Sequence, residues 1–574
     1  MRRFSITKHR RLCNPLAYFP AAVVLVIATL TGWSSAFAVE EKPPLPRWRN
    51  LSESEAPSVP EPRREFRGVW IATVYNLDWP SKPGLPVETQ QAELLDILDR
   101  AAALHLNAIV LQVRTMCDAF YESPLEPWSY YLMGELGQAP EPFWDPLAFA
   151  VEAAHQRGLE LHAWLNPFRA TTAEYGDVMP ANHVSSQYPW LTRTSGRHLW
   201  LDPSSEFVRN RFLTVAFDIV NRYDIDAIHM DDYFYPYPAK GEEPGLDDEE
   251  NWQRYRYGEV LATGEEPMDR NEWRRELVNN LIEELYHDIK RTKPWVKLGI
   301  SPFGIWRPGY PQNIQGMDSY TEIFADSRKW LREGWVDYFS PQLYWKLEGP
   351  QSFTELYRWW QDQNIHGRHV WPGIAASRMG SGAEGEKWGI AEVVGQIEAT
   401  RAYTGFAPAN GQLFWHWEAF ATNRGDIAKL ITKQRYTDRA LPPPSPWLAT
   451  EKTTAKMPMA ANFRVKAPVT EAKENDDEKP AASALWRIGW DAEAGVSEAV
   501  RWWSVQVGTK TSKDKDGSEW EWQTERVVPG SQNWVRFESI DGIDAVAVRA
   551  VDKVGELGKV RVLERVSETS KKKK

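Results

Sequence analysis

From Glu65 to about residue 440, short runs of β-branched and aromatic residues alternate with segments whose apolar positions recur at helical spacing. The runs predicted as strands are Arg67 to Val74, Asn107 to Arg114, Glu160 to Asn166, Ala227 to Tyr233, Lys297 to Phe303, Val336 to Trp345, Val370 to Ala375 and Gln412 to Trp417. Between the first two, Leu94, Leu95, Leu98 and Ala102 share a helical face, and between the fourth and fifth so do Trp273, Leu277, Leu281, Leu285 and Ile289. Gly158, Gly334, Gly367 and Gly411 each follow a helical run, where a left-handed residue ends a helix. Eight strand-then-helix units predict an α/β fold, a closed (β/α)8 barrel enlarged beyond the usual ~250 residues by insertions. The competing architecture is an open doubly wound sheet, but no Gly-rich phosphate turn follows the first strand. The insertions (75–86, 115–145, 167–204, 233–269 and 304–319) all follow strands, which puts them on the C-terminal rim where barrel active sites are built.

The two ends of the chain read differently. Arg2, Arg3, Lys8, Arg10 and Arg11, an apolar run over Ala21 to Leu30, and Ala36-Phe37-Ala38 have the layout of a secretory signal over residues 1–38. This predicts an exported protein of the periplasm, envelope or exterior, with no stable membrane span once the signal is removed. Residues 39–64 read as a linker and 65–440 as the barrel. Residues 441–480 read as a second linker that includes the start of a tail domain. Short alternating strands within 481–566 predict a small all-β sandwich of the fibronectin type III sort, an accessory module, and 567–574 a solvated basic tail.

Composition narrows the function. A net charge of -11 argues against a nucleic-acid partner, which needs a basic surface. Only Cys13 and Cys117 occur, so neither a disulfide framework nor a Cys-based zinc cluster is available. His162 with His229 and Asp231 are conceivable metal ligands, but the first strand carries no histidine pair, and neither a metal nor a cofactor is expected. Thirty tryptophans and 13% aromatics supply flat apolar faces, suited to a large core or to stacking on sugar rings.

Candidate chemistry sits at the strand ends. In His229-Met230-Asp231-Asp232-Tyr233-Phe234-Tyr235-Pro236, alternation aims His229 and Asp231 into the barrel. Adjacent carboxylates among aromatics fit a glycosidase, whose oxocarbenium-like transition state needs an anion and a protonated acid. Asp231 and Asp232 are the candidates for this chemistry, with Asp232 alternatively a partner of the following loop. The second carboxylate is open among Asp118, Glu122, Asp202 and Glu418, with Asp118 alternatively paired to Arg114. Candidate sugar-binding residues are Arg114, Trp164, Asn166, Arg169, His229, Tyr233, Tyr235, Arg307, Gln342, Tyr344, Trp345 and Trp415.

Six motifs in order carry a resemblance. They are Phe66 to Val74 with Asp78-Trp79-Pro80-Ser81; Gln112-Val113-Arg114 with Asp118 to Tyr121; and Ala163 to Arg169. The others are Ile228 to Pro236, Ser301-Pro302-Phe303-Gly304, and Pro341 to Trp345. Over Arg64 to Tyr436 the chain resembles the bacterial glycosyl-hydrolase-like 10 family. The resemblance implies an exported (β/α)8 barrel and a glycosidase acting on cell-wall or related polysaccharide; the family includes envelope enzymes that cleave peptidoglycan glycan strands stripped of their stem peptides. It does not settle the catalytic pair. Thr115-Met116-Cys117 departs from the small or Pro/Gly residues expected there. A non-catalytic glycan-binding envelope protein on the same scaffold is the alternative function.

Overall fold

The structure is a computed structural model that describes residues 45–172, 175, 179–264, 266–380, 388–403, 405, 411–450, 457–468, 485–492, 499–511 and 519–566. The segment read as a secretory signal, residues 469–484 of the second linker and the start of the tail domain, and the basic tail lie outside the described residues.

Eight parallel staves form the barrel: β1 (Phe66–Ile71), β2 (Ala108–Arg114), β3 (Glu160–Leu165), β4 (Ala227–Met230), β5 (Lys297–Ile300), β6 (Tyr338–Phe339), β7 (His369–Val370 and Gly373–Ile374) and β8 (Gly411–Phe414). Each pairs in parallel with the next, and β8 pairs with β1. The seventh stave is split because Pro372 has no N–H to give the ladder. Its two pieces still bond to both neighbours, through Trp371 N to Phe339 O (2.8 Å) and Leu413 N to the Pro372 carbonyl (3.1 Å), so the ring is closed. The strands are buried on both faces, as parallel strands under a shell of helices must be. That shell is α1 (Val87–Ala103), α2 (Pro146–Gln156), α3 (Glu206–Arg222), α4 (Arg270–Thr292), α5 (Ser327–Glu333), α6 (Phe353–Gln363), α7 (Ile390–Arg401) and α8 (Ile427–Gln434).

Most staves stop short of their sequence-predicted C-terminal ends. The fourth ends at Met230 and the fifth at Ile300, because the polar residues that follow leave the ladder to line the barrel mouth. Gly158, Gly334 and Gly367 take left-handed φ values of 71°, 73° and 61°, whereas Gly411 opens β8 instead of ending a helix. A Cβ on Gly411 would meet Phe66 and Trp371 at 2.6 and 2.7 Å, so close packing in the barrel interior is what fixes glycine there.

That interior is an aromatic plug. Phe66 stacks on Trp371 with centroids 3.8 Å apart and planes at 3°, and Tyr338 lies against Trp371, His162 and His229. Gly299 in β5 makes room, since a Cβ there would sit inside the Tyr338 ring. Trp70, His229, Tyr338 and His162 are joined in one hydrogen-bonded line. Trp70 Nε1 donates to His229 Nε2 (3.1 Å), and both His229 Nδ1 and His162 Nδ1 meet the Tyr338 hydroxyl (2.8 Å each). From there His162 Nε2 reaches Glu160 (3.0 Å), which pairs with Lys297 at the barrel floor (2.8 Å).

The tail forms a β-sandwich with the strand order of a fibronectin type III module. One sheet is β9 (Ala460–Lys466), β10 (Trp486–Ala492) and β13 (Trp534–Phe537). The other runs β12 (Glu519–Pro529), β11 (Val500–Thr511), β14 (Ala545–Asp552) and β15 (Arg561–Val566). Its far edge is completed by Arg47–Asn50, antiparallel to β15. The segment read as an N-terminal linker therefore contributes a sandwich strand, too short among its prolines to show a period. The sandwich is fastened to the N-terminal face of the barrel, opposite the strand ends that carry the chemistry. Arg501 bonds Asp226, the residue just before β4, at 2.6 and 3.0 Å, and Asp224 at 2.6 Å. Burial works to raise the Asp226 carboxyl; the Arg501 guanidinium and His155 outweigh it and hold the group well below the usual carboxylate range. Gly158 abuts the Val527 carbonyl so closely that a Cβ would stand 2.5 Å from it.

Removing Arg501 leaves a buried carboxylate at the root of β4. Arg501→Ala is expected to destabilise the protein by about 3 kcal/mol in urea unfolding at pH 7 while KM for a short soluble glycan stays unchanged. An unaltered unfolding midpoint would show that the sandwich is not anchored through this charge.

Candidate active site

The mouth of the barrel holds a cavity of about 190 Å³ lined by Trp70, Trp164, Asp231, Asp232, Tyr233, Tyr237, Ser301, Gln342, Tyr344 and Trp415. Each comes from a β-strand or the residues just beyond one, apart from Tyr237 in the loop after β4, so the walls are set by the barrel frame. Period-two alternation in β4 aims His229 into the plug and Asp231 into the space above it.

Asp231 is 6% exposed and Asp232 3%. Donors surround Asp231: Trp164 Nε1 at 3.1 Å, the Tyr233 amide at 3.3 Å and Asn166 Nδ2 at 3.4 Å. Burial and then the neighbouring Asp232 charge raise the Asp231 carboxyl to about 7, against the opposing pull of Arg169 and of these donors. Asp232 is also raised, chiefly by burial, while the Tyr237 hydroxyl donates to it and Gln342 bonds it from β6's end. Two adjacent carboxyls in so dry a site resist ionising together, so near neutral pH the pair can offer an acid and an anion. Burial and the same two charges hold the Tyr344 phenol well above its ordinary value, leaving it a neutral donor.

Of the residues singled out in the sequence, seven line this cavity: Trp164, Asp231, Asp232, Tyr233, Gln342, Tyr344 and Trp415. Three stand directly behind it. Asn166 bonds Asp231, Arg169 lies 3.6 Å over the Tyr233 ring, and His229 bonds Trp70 from below, its imidazole kept neutral by burial and by His162. The other five are placed elsewhere. Arg114 is fully buried, paired at 2.6 Å with both Glu126 oxygens, and donates to the Asn166 carbonyl, so it positions the third strand end instead of meeting a ligand. Asp118 is also fully buried and accepts from Thr115, Met116, Ser129 and Tyr175, which ties a loop and leaves no catalytic proton site. Tyr235 packs on Phe324, Arg307 pairs with Asp318, and Trp345 packs on Phe303 outside the cavity. Burial pushes the Cys117 thiol up to about 12, and its sulfur sits between Arg114 and the Arg169 carbonyl, away from the cavity.

Among the remaining candidate acids, Glu418 pairs with Arg424 (2.7 Å), Asp202 with Arg193 (3.1 Å), and Glu122 faces solvent beside Arg222. Trp70, Tyr237 and Ser301 line the cavity without having been singled out as site residues. Trp70 was legible from alternation in β1, which turns Phe66, Gly68 and Trp70 inward; Tyr237 reaches the pair through a loop whose path no periodicity reveals. Among the described residues, no group of three or more His, Cys, Asp or Glu side chains is placed to hold a metal ion. A larger cleft, about 710 Å³, opens between α2 and the sandwich, remote from the strand ends.

The family model described as glycosyl hydrolase-like 10 matches residues 65–388. Glycosyl hydrolase YngK of Bacillus subtilis (strain 168) is 35% identical over 406 residues, covering 69% of this chain and 76% of that protein. Glycosyl hydrolase DigH of Escherichia coli (strain K12) is 33% identical over 367 residues, 59% of this chain and 80% of that one. Among solved structures, the PgaB (BpsB) glycoside hydrolase domain from Bordetella bronchiseptica aligns with 67% of this chain and 100% of that chain, at 13% identity and a TM-score of 0.42.

The raised Asp231 carboxyl has a cost that can be measured. The folded state keeps its proton up to about 7, whereas the unfolded chain loses it near the usual carboxylate value, so this group lowers stability as pH rises through that interval. Asp231→Asn is expected to raise stability at pH 8 by roughly 2–4 kcal/mol and to leave it nearly unchanged at pH 4. Equal effects at both pH values, read by chemical unfolding, would rule out the raised carboxyl.

Proposed function

The chain belongs to the glycosyl hydrolase-like 10 family and is a glycoside hydrolase, and from that premise we propose that it is an exported enzyme that cleaves the glycan strands of a cell-wall polysaccharide, peptidoglycan foremost. The observation that carries the reading is the Asp231–Asp232 pair, two carboxyls buried side by side in an aromatic-walled cavity at the strand ends. Trp164, Trp415 and Tyr344 offer flat apolar faces for ring carbons, while Gln342, Ser301 and Tyr233 offer polar atoms for hydroxyl groups. In the reaction the pair supplies a proton to the departing glycosidic oxygen and negative charge beside the developing oxocarbenium ion. The low-dielectric surroundings strengthen both effects, since water is kept from the reacting atoms. Export is supported by the basic, apolar and small-residue layout of the first 38 residues.

The mature protein, incubated with peptidoglycan sacculi before and after amidase removal of the stem peptides, is expected to release sugar fragments detectable by mass spectrometry. Asp231→Asn and Asp232→Asn are each expected to lower kcat by about 10²–10⁴-fold with the fold intact; full activity in either would remove that residue from the chemistry. With the proton of the pair lost above pH about 7, kcat/KM should fall as pH rises through that value, and a profile flat to pH 9 would refute the acid role.

A further inference from the structure

We infer that this glycosidase uses the substrate's own 2-acetamido group as the nucleophile, so that it acts only on 2-acetamido sugars and retains the anomeric configuration. The inference rests on the carboxyl-pair reading above and deepens it.

The reason is where the carboxyls are. Catalysis by two protein carboxyls needs one on each side of the scissile bond, about 5–5.5 Å apart for retention and roughly 6.5–9.5 Å for inversion. Among the described residues lining the cavity, the carboxyls are Asp231 and Asp232, both carried by the end of β4. Among the described residues, other strand-end carboxyls are committed elsewhere. Asp78 accepts from His416 and from the Ala72 and Glu418 amides, Asp118 and Glu126 are saturated in the loop after β2, and Glu418 is paired with Arg424. The described cavity wall therefore has an acid and an anion but no second carboxyl across the sugar to attack from the opposite face.

The shape of the cavity beside Asp231 indicates what replaces it. Trp415 meets Trp70 at 5.8 Å and Trp164 at 6.1 Å, each at 68°, which forms three walls of an apolar box. The box adjoins Asp231, since Trp164 Nε1 lies 3.1 Å from its carboxyl. A group that fills an apolar box while offering a hydrogen-bond donor to a carboxylate has a methyl and an N–H together, as an acetamido group does. Tyr344, tilted 30° to Trp415 and lining the same cavity, supplies a neutral hydroxyl for the amide carbonyl side.

The reaction balances without a further reagent except water. The acetamido carbonyl oxygen bonds to the anomeric carbon as the bond from that carbon to the leaving oxygen breaks. One carboxyl of the pair passes its proton to the leaving oxygen, and the other accepts the amide N–H of the resulting oxazolinium ion. Water then bonds to the anomeric carbon and returns a proton to the carboxylate that acted as acid. The carbon–oxygen bond to the acetamido group breaks, and the group is restored. Two displacements at one carbon leave its configuration retained.

Two measurements on the mature wild-type protein test this. In the first, stem-peptide-free peptidoglycan strands, the same strands chemically N-deacetylated, and a re-N-acetylated control are compared by kcat, with the configuration of the newly formed reducing ends read by NMR. N-deacetylation is expected to lower kcat by at least about 100-fold, re-acetylation to restore it, and the new ends to be retained. In the second, calorimetry compares N-acetylglucosamine with its bicyclic thiazoline, in which sulfur stands in the place of the attacking carbonyl oxygen. The thiazoline is expected to bind at least about 100-fold more tightly. Inverted ends, or N-deacetylated strands cleaved at an undiminished kcat with the thiazoline bound no better than the sugar, would overturn the inference and leave the peptidoglycan reading standing. Tight thiazoline binding without cleavage of any strand would uphold the inference and refute peptidoglycan as substrate.

Discussion

Two carboxyls in successive positions, closed off from water by tryptophan and tyrosine, resist carrying charge together, and the arrangement of the barrel mouth follows from that constraint. The site holds a proton near neutral pH because desolvation and the adjacent charge make its release expensive. Every group around the pair moderates this cost without removing it. Trp164, Asn166 and the Tyr233 amide donate to Asp231, Tyr237 and Gln342 bond Asp232, and Arg169 lends positive charge from beyond Tyr233. A cation in direct contact would have ionised the pair and abolished the acid.

The N-terminal face of the barrel and the cavity at its other end handle charge in opposite ways. At the N-terminal face buried carboxylates meet cations directly: Glu65 with Arg67 and Arg401, Glu160 with Lys297, Asp226 with Arg501, and Asp337 with Lys290. These pairs, with the sandwich laid over some of them, favour ionised groups and a fixed structure. At the C-terminal face the carboxyls that line the cavity are held by neutral donors. Between the faces stands the plug of Phe66, His162, His229, Tyr338 and Trp371, in which the Tyr338 hydroxyl joins the two imidazoles beneath the cavity. The sandwich therefore acts on the carboxyl pair only through the frame that carries it.

The site rests on a second ring of residues whose polar character suggested ligand contact. Arg114 and Asp118 belong to it: one fixes the Asn166 carbonyl and so the group that bonds Asp231, and the other closes the loop beside it. Charged residues at barrel strand ends divide between those that face the reaction and those that hold the first kind in place. Burial with a full set of partners marks the second.

The sequence by itself determined the eight strand–helix units, the all-β tail and the gathering of polar residues at the end of the fourth strand. These follow from short-range causes: alternation in strands, helical spacing of apolar residues, and polar residues gathered where strands stop. Alternation also turned His229 and Asp231 inward, as the structure has them. Which polar residues share one cavity was settled only by tertiary structure. Asp118 and Asp231 look alike along the chain, and they differ because one is saturated by Thr115, Ser129 and Tyr175 while the other opens on a cavity assembled from six strand ends and the Tyr237 loop. The strand contributed by Arg47–Asn50 likewise depends on a partner more than 500 residues away, a pairing that no local pattern encodes. Burial and partnership are properties of the assembled chain, and in this protein they separate a saturated carboxylate from one that opens on a cavity.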